Sequence, residues 1–110
     1  MATLTVQEMN LTGVEITPVA ADELGDVFAN DGYTFFQVTN GSGSEITVTF
    51  NSIRECNQGH DHDIEIAVPN GDTISIGFFS RNRFNNATGE VEVSYSDHTG
   101  VTVAAVKVAR

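Results

Sequence analysis

Glu90-Val91-Glu92-Val93-Ser94-Tyr95-Ser96 is the stretch whose reading decides the fold. Val91, Val93 and Tyr95 alternate with Glu90, Glu92, Ser94 and Ser96, so one side of the chain is apolar and the other polar. A period of two with one polar face describes antiparallel sheet packed on a single side. The same alternation recurs outward from this stretch. Ile46, Val48 and Phe50 oppose Glu45, Thr47 and Thr49; Ile64, Ile66 and Val68 oppose Asp63 and Glu65; Ile74, Ile76 and Phe78 oppose Thr73, Ser75 and Gly77. Composition agrees: 13 Val, 7 Ile and 12 Thr stand against 3 Leu. Branching at Cβ suits strands and crowds the helical turn.

Turn formers separate the runs. Asp31-Gly32, Asn40-Gly41-Ser42-Gly43-Ser44, Pro69-Asn70-Gly71-Asp72 and Thr88-Gly89 all hold residues that tolerate positive φ. Residues 69–72 are expected to close a hairpin, because they join two well-patterned strands directly. Residues 1–7 and 14–17 read as two further strands, and residues 20–25 as the one short helical candidate. Segments 33–38 and 101–108 are apolar on both faces, which makes each a central strand or one with a face covered by another subunit. The expectation is therefore an all-β, single domain over residues 1–110: an antiparallel β-sandwich or partly closed barrel of about eight strands.

At 110 residues the chain has room for one core. Five basic residues against 15 acidic ones leave a formal charge of −10, a surface that repels phosphate backbones and anionic lipid headgroups. No nucleic-acid or membrane partner is expected. The start of the sequence lacks the basic and apolar stretches of a secretory signal, and a single cysteine, Cys56, excludes an intramolecular disulfide. A reducing compartment is the expectation.

The densest chemistry lies in Glu55-Cys56-Asn57-Gln58-Gly59-His60-Asp61-His62-Asp63. Cys56, His60 and His62 are metal-ligand types, and the two histidines share a side of an extended chain. A structural zinc site uses four protein ligands at recognisable spacing, and the sequence holds no second cluster, so a polar loop is the preferred reading. No phosphate loop, dinucleotide fingerprint or base-and-orienter arrangement appears, so neither enzyme activity nor a cofactor is expected. The segment Phe78-Phe79-Ser80-Arg81-Asn82-Arg83-Phe84-Asn85-Asn86 gathers three aromatics and two of the five basic residues. Arg with Phe is the composition of protein-binding hot spots, which makes Phe79, Arg81, Arg83 and Phe84 interface candidates. The alternative is that Phe78 and Phe84 plug the end of the sandwich while the arginines neutralise carboxylates.

Four blocks carry a family resemblance. They are Asn30-Asp31-Gly32-Tyr33-Thr34-Phe35-Phe36-Gln37-Val38-Thr39-Asn40-Gly41-Ser42, then residues 45–50, then Val68-Pro69-Asn70-Gly71-Asp72 leading into Ile74-Ser75-Ile76-Gly77-Phe78, and a closing block of residues 84–89, 91–96 and 101–106. In this order of glycine turns and strands the chain resembles small virion structural proteins of tailed bacteriophages, some of which decorate the capsid. The resemblance implies no catalytic residues. It implies a capsid decoration (cement) protein that binds the major capsid protein shell, resides on the virion surface and passes through the host cytoplasm during assembly. A homo-oligomer, with a trimer favoured, would gain avidity on a symmetric lattice. The alternative function is a carbohydrate-binding or host-recognition module of a tail or head fibre, against which the absence of Trp counts.

Overall fold

The computed structural model describes residues 2–9, 13, 15–52 and 63–108. Among these residues ten strands and one helical turn form in the order β1 (Ala2–Thr3), β2 (Val6–Met9), β3 (Val19–Ala20), β4 (Asp26–Ala29), β5 (Thr34–Asn40), β6 (Ile46–Phe50), β7 (Ile64–Val68), β8 (Thr73–Ile76), α1 (Arg81–Phe84), β9 (Glu90–Tyr95) and β10 (Val101–Val108). They make two five-stranded sheets. The first runs β1-β4-β9-β6-β7; the second runs β2-β10-β5-β8, with β3 also paired to β10. The fold is an all-β sandwich, not a closed barrel. Two of the pairings, β1 with β4 and β10 with β2, are parallel, so the sheets are mixed where antiparallel pairing alone was expected.

The alternation works as read. In β6 the side chains of Ile46, Val48 and Phe50 are buried and those between them half-buried; Val91 and Val93 of β9 are likewise buried. Both two-faced segments are central strands: β5 lies between β10 and β8, and β10 between β5 and the β2–β3 edge. The core that the sheets enclose is built on a chain of rings. Phe28 stacks on Phe36 at 5.6 Å, Phe36 meets Phe50 edge-on at 5.4 Å, and Phe50 meets Phe79 at 4.7 Å. Such aromatic contacts add to the burial of large apolar area.

Residues 69–72 do turn tightly, with Asp72 N–H donating to Pro69 O and Gly71 at φ 87°. They do not close a hairpin. β7 pairs with β6 in the first sheet and β8 with β5 in the second, so this turn is an arch between layers. Asn40, fully buried at the end of β5, anchors it: its N–H donates to Asp72 O, its C=O accepts from Gly71 N–H, and its Nδ2 donates to Val68 O. A second tie lies nearby, where Gly41 N–H donates to Gly100 O at 2.9 Å and a Cβ on Gly100 would stand 2.7 Å from Gly41 O.

Three further expectations are corrected. In place of one strand over residues 1–7, two strands form in different sheets, Ala2–Thr3 and Val6–Met9, with buried Leu4 between them. Residues 15–17 form no strand; Gln7 holds Thr17 by donating from Nε2 to its O and accepting its N–H at Oε1, and the strand follows at Val19–Ala20. Residues 20–25 are not helical, since Asp22 takes Leu24 N–H on its side chain and Gly25 N–H on its carbonyl. The helical turn forms instead at Arg81–Phe84.

Candidate functional site

The segment after β8 carries the candidate residues. β8 ends at Ile76, and Gly77 lies so close to Phe35 that a Cβ would stand 2.7 Å from the Phe35 Cβ. The chain turns there, and the inward–outward phase shifts. Phe78 faces out, 56% exposed, and Phe79 faces in, 2% exposed. Phe79 packs on Phe28 and Phe50, and Phe84 meets Phe79 edge-on at 5.4 Å with 4% exposure. Phe79 and Phe84 are thus core residues and not exterior contacts, because two rings close the end of the sandwich between the sheets. The plugging pair is Phe79 with Phe84, where Phe78 with Phe84 had been the alternative.

Arg83 is half-buried with its guanidinium carbon 5.0 Å from the Phe84 ring centre, a cation–π contact that ties it to the plug. Arg81 is exposed. Of the four sequence candidates, Arg81 alone is presented wholly to the exterior.

What the exterior does present is a ring pair. Tyr33, 45% exposed, stands 6.2 Å from Phe78 at an interplanar angle of 58°. Two asparagines fix the turns that carry these rings. Asn30 Nδ2 donates to Phe79 O and to Asn85 Oδ1, Asn85 Nδ2 donates back to Asn30 O, and Gly32 N–H donates to Asn30 Oδ1. The 30–33 turn and the 79–85 segment are thereby locked to each other. Tyr33 escaped the sequence reading because it lies 45 positions from Phe78, and Phe78 because alternation continued through Gly77 would have buried it.

Other polar groups serve the frame. Glu92, which with Glu90 shares a strand face, accepts Asn86 Nδ2 on one oxygen and Asn51 Nδ2 on the other. Tyr95 donates its hydroxyl to Oδ2 of fully buried Asp26 at 2.6 Å, while Asp26 Oδ1 has no hydrogen-bond partner among the described residues. Burial first, then the hydrogen bond to Asp26 and the charges of Asp26 and Asp22, push the Tyr95 phenol far above its usual value. It therefore acts as a donor throughout the working pH range. A groove of about 390 Å³ runs between Thr3, Thr5, Gln7, Thr17 and Val19, with no titratable group among its described lining residues. Cys56, His60 and His62 lie outside the described residues; among the described ones no three His, Cys, Asp or Glu side chains gather as a metal site. No helix among the described residues is long and apolar enough to cross a membrane.

Comparison of the chain with protein-family models, curated proteins and solved structures gives no match.

Proposed function

We propose that the chain is a non-enzymatic structural protein of a tailed-phage virion, a capsid decoration protein that grips the assembled shell. The observation that carries this reading is the exposed Tyr33–Phe78 ring pair on a frame of reciprocal asparagine bonds, with exposed Arg81 three residues along the chain from Phe78. Aromatic side chains fixed in advance lose little freedom on docking, which is how interface hot spots gain affinity. Arg81 and Arg83 place two of five basic residues at this end of a molecule of charge −10, so the surface favours an acidic partner patch. The resemblance of the four sequence blocks to phage virion proteins supplies the kind of partner, the major capsid protein shell. A trimer at a threefold position would multiply a modest contact into lasting attachment. Co-sedimentation with expanded shells of the phage that encodes the chain tests the proposal. Saturable binding supports it, and absence of binding to heads discards it.

The ring pair also favours a second reading, a carbohydrate-binding or host-recognition module, since each of these exposed rings offers a face on which a sugar can stack. A rise in melting temperature with host polysaccharide, lost in Tyr33→Ala, would support that reading over the first.

A further inference from the structure

Strands β7 and β8 end the two sheets, and only residues 69–72 separate them along the chain. Their outer edges therefore lie on the same side of the sandwich, one in each layer, and the two strands run in opposite directions. Among the described residues no strand pairs with either outer edge. Sheet edges are ordinarily blunted by charge, proline, bulges or shortness. β8 reads Thr-Ile-Ser-Ile, with neither charge nor proline. Asn40 N–H donates to Asp72 O, and hydrogen-bonded positions alternate along an antiparallel ladder. The alternation turns the N–H and C=O of Thr73 and Ser75 away from β5, toward the open edge. Behind both edges sit Ile64, Ile66, Ile74 and Ile76, packed on the core but only partly buried.

We infer that this side is an interface between copies of the chain, in which β8 of one copy pairs antiparallel with β7 of the next. Charge selects that pairing. β7 against a second β7 would set the exposed Asp63 and Glu65 of both copies across from each other, and like charges opposed in a ladder destabilise it. β8 instead sets uncharged side chains opposite those carboxylates: Thr73, whose hydroxyl bonds Thr39, and Ser75, whose hydroxyl accepts from Gln37 Nε2 and keeps its own proton to donate. Geometry selects it too. Any rotation axis parallel to the strands, two-fold or threefold, lays β8 antiparallel to the neighbouring β7 in both layers at once. The four isoleucines of each copy then close over one another, extending the core across the contact. The paired edges are main-chain recognition of the β-augmentation kind.

Light scattering on the pure full chain, across a wide range of concentration, tests the interface without any shell present. The expected result is a multiple of the 11.8 kDa chain mass that Ser75→Pro, which removes an outward donor, returns to a single chain. Ser75→Lys, which adds a charge to the edge and leaves the backbone donor in place, is expected to weaken association at least about tenfold; it also serves if the proline variant fails to fold. A single-chain mass at every concentration, or association that survives Ser75→Lys undiminished, overturns the inference. Shell binding is measured separately, so failure of one reading is distinguishable from failure of the other.

Discussion

Asn40, the last residue of β5, donates Nδ2 to the carbonyl of Val68, the last residue of β7, at 2.9 Å across the two sheets. The same nitrogen donates to Ser44 O at 2.7 Å, and its amide oxygen accepts Ser42 N–H at 3.0 Å. One buried side chain thus fixes both the exit from β5 and the arch between β7 and β8. Replacing Asn40 with Ala strands two carbonyls, at roughly 1–3 kcal/mol each where they are shut off from water. Asn40→Ala is expected to lower unfolding free energy by about 2–4 kcal/mol in urea titration at unchanged denaturant slope.

Adjacent phenylalanines should respond in opposite ways. Phe79→Ala removes a ring from the centre of the aromatic chain and is expected to cost roughly 3–5 kcal/mol. Phe78→Ala, at a position 56% exposed, is expected to stay within about 0.5 kcal/mol of the parent. Melting curves of the two variants check the contrast, and equal losses would contradict the assigned phase.

Much of this was legible in advance, and the failures have physical causes. Alternation declares which side of a strand is apolar, and it did so for β6, β7 and β9 because each buries one face. It does not declare which sheet a strand joins, since hairpins and arches use the same turn chemistry; Pro69-Asn70-Gly71-Asp72 satisfies both. Alternation also carries no warning that a strand stops, so Gly77, which sits against Phe35, reversed the order of Phe78 and Phe79 unannounced. An acidic residue such as Asp26 carries no local signal that it is buried, and the phenol that donates to it, Tyr95, lies 69 positions away.

The Tyr95 phenol gives a dependence on pH. Its acid form is favoured in the folded state, so its contribution is fully present below the ordinary phenol value of 10.0. Above that pH the unfolded chain ionises while the folded chain resists, and stability falls. Tyr95→Phe is expected to be less stable at neutral pH by about 1–3 kcal/mol, because Asp26 Oδ2 loses the phenol donor and keeps the longer bond from Asp22 N–H at 3.3 Å. The same variant should show a shallower decline above about pH 10, a slope that denaturant titration at several alkaline pH values reads directly.

Gly100 tests the packing of the two turns that tie the sheets together. It combines φ +74° with the 2.7 Å approach to Gly41 O, so Gly100→Ala meets both a torsional and a steric penalty. A loss of about 2 kcal/mol or more is expected. Gly43→Ala, at φ +100° in open space, should lose only about 1 kcal/mol.

Affinity for expanded capsid shells, compared between the parent chain and the Phe78→Ala/Arg81→Glu double variant, probes the proposed role most directly. The parent is expected to saturate the shells, and the double variant, at an unchanged melting temperature, to bind at least about tenfold more weakly, or ~1.4 kcal/mol. A parent that leaves shells bare, or a double variant that decorates them just as tightly, would contradict the account.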